Sequence, residues 1–403
     1  MRILLSDGSG LTARQCATLL GRRGHHIGVL APSKVVLARG SGHVRDLHLV
    51  PRFGPDPFGW ADATLAVLDR HGYDVLLPTQ EQVTVLALRA EEVHARGVAM
   101  ATPPFESLRR VQDKLAADET LDELAIPRPP GEVIRTPGQL CAVRPPVYVK
   151  APIGTASAGV HLATGQTELA TLADRFDELD PAGLGGVLAQ RPADGLLLMV
   201  QAVFDRGRLV AAHANSRDRV GPGNGASHKT SRSPASIRPH LERLGAALDW
   251  HGGLSLDVID SSAGPLVIDV NPRLVEPGNA MAAGLDLLGA YLDVALGAEP
   301  APRPDAVPGV HTHQLMLALL GAASRRTVLT ELAGAATGTG PYATSTEELA
   351  PTRRDLKAAL STTALATALL LNPAWRAHLT GGAVDGYALG AHGWHEILAA
   401  ANH

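Results

Sequence analysis

The chain has 403 residues, 45% of them hydrophobic and 19% charged, and a net charge of −4. It is long enough for two or three domains with their own cores, and its intermixed charge gives no electrostatic footprint for nucleic acid or an anionic membrane. Two cysteines, Cys16 and Cys141, are too few for a disulfide framework or a cysteine-rich zinc site, which makes a reducing cytoplasm the expected compartment.

The N-terminal residues Met1-Arg-Ile-Leu-Leu-Ser-Asp turn polar and glycine-rich at once, so they read as a first strand rather than a secretion signal. Short β-type runs at 3–6, 26–30, 46–50, 74–77 and 98–101 are interleaved with helical stretches from Thr12 and over 60–70 and 82–95. This alternation predicts a parallel sheet covered on both faces. Between the first strand and helix lies Gly8-Ser9-Gly10-Leu11-Thr12-Ala13, a G-x-G-x-x-A loop. A dinucleotide site would need an acidic residue closing the second strand, but that strand runs into Ala31-Pro32-Ser33. A tight turn is the expectation, with backbone N–H groups at a helix start where a substrate carboxylate could sit.

From 103 to 130 the pattern turns helical and then proline-rich, marking a change of domain; from 147 to 270 longer strands and glycine-rich loops predict an α+β domain. A helix is predicted over about 286–296, and the proline-rich run 298–308 reads as a linker. Alanine- and leucine-rich helices follow, one starting at Thr352 with Asp355 three residues on. The uncharged run from Ala358 to Leu371 is shorter than the roughly 20 residues of a membrane span and reads as a buried helix.

Two segments carry chemistry on their own residues. In Val147-Tyr148-Val149-Lys150-Ala151-Pro152-Ile153-Gly154-Thr155-Ala156-Ser157-Ala158-Gly159, a strand delivers a lysine to a loop of small residues, which lets backbone N–H groups approach phosphate oxygens. A flexible hairpin with a solvated lysine is the alternative. No G-x-x-x-x-G-K-[ST] sequence occurs, so a P-loop is excluded. The second segment pairs Gly253–Ile259 with Pro265–Asn271 as a hairpin joined by 260–264. Asp269 and Asn271 share a face, and a five-residue loop would put Asp257 on that face, diagonal to Asp269; a loop one residue shorter or longer would turn it away. Two carboxylates and an amide oxygen suit a hard cation such as Mg²⁺. Arg273, just beyond, could neutralise charge in phosphoryl transfer.

Together these segments resemble the ATP-grasp superfamily, in particular its carboxylate–amine ligases and carbamoyl-phosphate-synthase-like branch, over roughly residues 1–297. The matching landmarks are Asp113-Lys114 with Ala125-Ile126-Pro127-Arg128-Pro129, the Lys150 strand, Val187-Leu-Ala-Gln190-Arg191 and the Asp269-Val-Asn271-Pro-Arg273 strand end. The resemblance implies an α/β and α+β multidomain fold. Its parts would be a Rossmann-like pre-ATP-grasp domain over 1–102, an ATP-grasp domain over 103–297 and a mainly helical C-terminal region over 298–403. It implies ATP contacts from Lys114, Lys150, Gly154, Ser157, Gly159, Gln190 and Arg191, with glutamine where the family usually has glutamate at 190. It implies Mg²⁺ ligands at Asp257, Asp269 and Asn271, where the acidic positions are more often glutamate.

Arg273, Lys229 and Arg217 are the candidates for stabilising the reacting phosphate. Glu81, His228, Arg232, Glu276 and Asn279 fall where substrate contacts are expected. His311-Thr312-His313 has metal-like spacing without a third ligand and reads as core or surface histidines. The C-terminal region, with Gly338–Tyr342 and Glu347-Glu348, is expected to pack over the active site. The implied activity is an ADP-forming ligase that activates a carboxylate as an acyl phosphate and joins it to an amine. Its substrates would be small molecules, with no nucleic acid or membrane partner, and a homodimer is compatible with the pattern. The alternatives are a regulatory or degenerate ATP-binding protein and a nicotinamide-dependent oxidoreductase.

Overall fold

The computed structural model describes all residues except 156–157, 223–224, 350–354, 377–383 and 403. Strands β1 (Arg2–Leu5), β2 (His26–Ala31), β3 (Val44–Leu49) and β4 (Val75–Leu77) form a parallel sheet of order β3-β2-β1-β4. The predicted run at 98–101 contributes only a parallel bridge from Ala99 to Val75. β1 and β2 are almost wholly apolar because helices cover both faces, as a parallel sheet requires. The helix Leu11–Gly21 packs on one face and the helix Pro57–His71 on the other.

Strands β5 (Gly131–Ile134), β6 (Val147–Lys150), β7 (Val160–Ala163) and β8 (Val187–Gln190) make a small antiparallel sheet of order β5-β8-β6-β7. The chain leaves β8 through residues 191–195 and enters a second, larger sheet. That sheet holds β9 (Leu196–Asp205), β10 (Arg208–Val220), β11 (Ala226–Arg232), β12 (Gly252–Ser261), β13 (Gly264–Asn271), β14 (His311–His313) and β15 (Thr346–Glu347). Its order is β13-β12-β9-β10-β11-β14-β15. One face of its centre packs Val200, Ala202, Phe204, Leu254 and Leu256 onto the helix Arg238–Ala247. Since side chains alternate along a strand, the odd-numbered positions of β9 and β12 face the other way, toward a cleft.

The C-terminal region differs in detail from its expectation. The run 298–308 is tied down rather than free: Arg303 N–H donates to Val210 O and Val307 N–H to Ala283 O, and Ala306 is buried. The helix Leu356–Leu371 starts at Asp355, whose carboxylate caps Ala358 N–H; the predicted start, Thr352, lies outside the described residues. Among the described residues, the helices Leu315–Gly321 and Arg325–Thr337 pack on one face of that helix, while Leu356 and Leu360 are 82% and 71% exposed. No helix among the described residues is long and apolar enough to cross a membrane.

The apolar cores cross the proposed domain limits. Ile3, Leu5 and Val29 share a core with Val203, Val210 and Leu285 to Val294, while Leu4, Leu30 and Leu76 share another with Leu389, Trp394 and Ile397. Both cysteines are unpaired, Cys16 buried and Cys141 exposed.

Candidate active site

The cleft has a volume of about 1380 Å³ and lies between the small sheet, the large sheet, the carboxyl ends of the N-terminal strands and the C-terminal helices. Its floor is the hairpin β12–β13. The turn of that hairpin is shorter than expected: Ser261 pairs with Gly264, leaving a two-residue loop. A regular ladder from such a turn would put Asp257 opposite Ile268 and send Asp269 to the wrong face. Instead Val258 pairs with Val267 and Asp257 with Asp269, so Ile268 is an extra, bulged residue. The two aspartates therefore stand directly opposite each other rather than diagonally, with Asn271 opposite Ser255 on the same face.

The bulge has a second effect. The Ile268 carbonyl accepts from Lys150 Nζ at 2.7 Å, and the same ammonium donates to Gln190 Oε1 at 2.7 Å. Lys150 is buried, and desolvation pulls its ammonium below the usual lysine range, with Asp269 opposing that trend. Lys114, on the first turn of the helix Lys114–Glu123, approaches Asp269 at 4.0 Å and donates to Gly154 O at 3.4 Å. Burial, and then the neighbouring Asp269, push the Asp257 carboxyl up to about 6, although Arg217, Lys150 and Arg273 act to lower it. A hard cation would relieve the repulsion between the facing carboxylates, and the two-carboxylate, one-amide donor set fits Mg²⁺.

The small-residue loop joins β6 to β7, with Lys150 opposite Val160 and Ala151 N–H bonded to Gly159 O. Gly159 has φ +75°, and a Cβ on Gly154 would lie 2.0 Å from Ala158 O, so neither position accepts a side chain without rearrangement. Gly154 and Thr155 line the cleft and Gly159 does not; Ser157 lies outside the described residues. Gln190 and Arg191 line it as well, where the chain passes from the small sheet to the large one.

Arg217, Arg273 and Glu276 complete the expected residues found at the cleft wall. Glu276 adopts φ +53°, a left-handed conformation held by its N–H bond to Thr12 Oγ1 and by Lys229. Five other candidates stand away from the wall. Glu81 is buried against Arg273 at 2.8 Å, and Asn279 is buried between His213 and Thr312. Lys229 is 1% exposed, bonded to Glu276 at 2.6 Å and Glu348 at 2.8 Å, and so sits beneath the wall rather than in it. His228 packs against His313 and Tyr342, and Arg232 sits exposed at the end of β11, bonded to Ser216. The pair His311 and His313 separates accordingly, one exposed and one buried in that aromatic group.

The sequence reading missed several residues on the cleft face of the large sheet. Gln201 pairs across β9 with Ser255 and His213, and both Met199 and Gln201 line the cleft. Gln201 is 1% exposed and its Oε1 has no partner. The signal was the odd-numbered alternation of β9, which a single polar residue in an apolar strand makes faint. The glycine loop after β1 behaves differently from its expectation: Ser9 and Gly10 N–H groups donate to Asp7 Oδ2 at 2.7 and 2.9 Å. Those two donors are engaged by the protein's own carboxylate, while the helix that starts at Leu11 has no side-chain cap and Leu11 and Thr12 line the cleft.

A parallel sheet domain, a small antiparallel sheet and a large one closing on a cleft floored by facing carboxylates make up the ATP-grasp fold. Solved structures share it. The biotin carboxylase domain of Hydrogenobacter thermophilus 2-oxoglutarate carboxylase, determined as a dimer with MgADP, ADP and bicarbonate, superposes with a TM-score of 0.61 at 14% identity, over 77% of this chain and 73% of that one. N5-carboxyaminoimidazole ribonucleotide synthetase from Thermus thermophilus gives 0.55 at 20% identity, over 77% and 81%. The L-amino acid ligase from Bacillus licheniformis gives 0.57 at 14% identity, over 75% and 77%. No protein-family model matches the sequence and no curated protein matches it, so the likeness is one of fold.

Proposed function

We propose that the chain is an ATP-dependent ligase that phosphorylates a carboxylate and joins the activated acyl group to an amine. The observation that carries this reading is the register that brings Asp257, Asp269 and Asn271 together beside Lys114 and Lys150. The shared fold supports it, since the similar structures include an amino acid ligase and a carboxylase domain bound to MgADP. Asp257, Asp269 and Asn271 would hold magnesium, which would supply neutralisation of the phosphate charge.

Lys150 and Lys114 bind phosphate oxygens of ATP, and Gln190 and Arg191 border the base. A substrate carboxylate oxygen attacks the γ-phosphorus; the bond from that phosphorus to the bridging oxygen breaks and ADP leaves. Arg273 and Arg217, both on the cleft wall, stabilise the three phosphoryl oxygens as charge spreads over them. The neutral amine then attacks the acyl carbon, the carbon–phosphate oxygen bond breaks, inorganic phosphate departs and the amine proton passes to solvent. The chain contributes positioning and electrostatics, with no covalent nucleophile.

A phosphate-release screen with Mg-ATP against panels of carboxylates and amines tests the reading, with Asp269→Ala and Lys150→Ala alongside. Phosphate release that needs one carboxylate and one amine, and that both substitutions abolish, is expected. Products of AMP and pyrophosphate, or nucleotide binding unaffected by both substitutions, would sink it.

A further inference from the structure

Resting on the ligase reading, we propose that the substrate carries a second anionic group, a phosphate or an additional carboxylate, that docks against Lys34, Arg39, Arg52 and Lys357. All four side chains line the same cleft as the metal carboxylates, but they come from different elements. Lys34 and Arg39 lie on the segment after β2, Arg52 follows β3, and Lys357 opens the helix Leu356–Leu371.

Four sets of contacts draw these elements together. Arg39 Nη1 donates to Lys34 O at 3.0 Å, which fixes those two side by side. Asp355, two residues before Lys357, accepts from Ser41 Oγ at 2.9 Å and Gly42 N–H, which anchors the start of the helix to the end of the Arg39 turn. A Cβ on Gly40 would meet Ser361 Oγ at 3.2 Å, one helical turn beyond Lys357. Arg52 joins the same rim because Val50 N–H bonds Ala31 O, where β2 hands over to Pro32 and Ser33.

The charged side chains of this rim are all basic. Elsewhere, arginines such as Arg2, Arg89, Arg96 and Arg110 are paired with carboxylates. None of the four rim cations has an acidic partner among the described residues, and Asp355, the carboxylate in their midst, is engaged by Ser41, Gly42 and Ala358. The acidic residues lining the cleft are Asp257, Asp269 and Glu276, which belong to the metal floor and the Lys229 cluster. Four like charges gathered at the mouth of a cavity focus potential into it and favour an anion there. The nucleotide's own phosphates are served by Lys114, Lys150, Arg217 and Arg273, so the rim is left for the other substrate.

The full chain saturated with Mg²⁺ and a non-hydrolysable ATP analogue is titrated calorimetrically with inorganic phosphate, citrate or acetate. Phosphate or citrate should bind more tightly than acetate, with an affinity that falls steeply with salt. The Lys34→Gln/Lys357→Gln double variant should lose at least about tenfold of that affinity, as for a lost charge-assisted hydrogen bond. Both positions are exposed, so the variant keeps its fold, which an unchanged nucleotide affinity verifies. Preference for phosphate marks a phosphorylated substrate and preference for citrate a polycarboxylate. No discrimination from acetate, or equal binding in the double variant, overturns the proposal. Failure of the wild-type chain to bind nucleotide while anion binding still depends on Lys34 and Lys357 overturns the ligase reading and leaves the anion site standing.

Discussion

Arg273 Nη2 donates to Glu81 Oε1 at 2.8 Å, tying the end of β13 to the loop after β4, and each side chain is 7% exposed. Burial alone would raise the Glu81 carboxyl, but the Arg273 guanidinium overrides it and holds the group below its usual range. The arginine proposed to meet the phosphoryl group is thus fixed in place by the N-terminal sheet before any ligand arrives. Glu81→Gln leaves a buried guanidinium without its counter-charge and should cost about 3 kcal/mol, measured by urea unfolding. It should also slow phosphate release while leaving nucleotide affinity within a few-fold.

Lys229 sits between two carboxylates, so its removal leaves Glu276 and Glu348 facing each other in the interior. Lys229→Met is expected to destabilise the protein by about 3–5 kcal/mol. Adding Glu348→Gln should recover part of that loss, because one of the two uncompensated charges disappears. A double-mutant cycle in urea checks this, and simple additivity would contradict it.

Asp257→Asn should act in opposite directions on fold and function. Burial and Asp269 already disfavour the Asp257 charge, so the amide relieves repulsion and the ligand-free protein should melt at a higher temperature. Magnesium-dependent phosphate release should fall by more than about a hundredfold, beyond the effect typical of an outer-shell partner. Scanning calorimetry and a phosphate assay on the same preparation separate the two effects.

The Asp7 carboxyl is buried and pushed up to about 6 by desolvation, against the two N–H groups it accepts. A carboxyl raised on folding favours the folded state fully below its unfolded value near 3.8, and that contribution is lost as pH rises through 6. Measured against wild type, Asp7→Asn should therefore gain stability between pH 4 and pH 7, by about 3 kcal/mol at most. Urea melts of both proteins across that interval test the sign.

The strand β13 could be read in the sequence because a β-strand sorts its residues by parity. Asp269 and Asn271 fall on one side and Val270 on the other whatever surrounds them. The turn could not be read, because Ser262-Ala263 lacks the glycine or asparagine that marks a two-residue hairpin, and a bulge at Ile268 leaves no compositional trace. Lys229 looked like its neighbours Arg217 and Arg232 in a basic stretch; what distinguishes it is Glu348, 119 residues away, which arrives with the C-terminal region. The rim cations were invisible for the same reason, since three separate segments supply them and Lys357 joins the others only through the packing of the helix Leu356–Leu371.

The helix Ala391–Ala401 buries Trp394 and Ile397 in the core beneath Leu4, Leu30 and Leu76. A ribosome making this chain therefore releases the first sheet long before the residues that cover it. At ordinary elongation rates, the delay over the roughly 300 intervening residues amounts to about 15–60 s. Throughout that interval the helix Pro57–His71 covers only part of the apolar face of the nascent N-terminal sheet, and the part later filled by Trp394 and Ile397 stays open, a surface a chaperone would meet before the helix Ala391–Ala401 does. Nascent chains stalled before residue 389 should accordingly be protease-sensitive through β1 to β4, and those carried past residue 401 and clear of the exit tunnel should not.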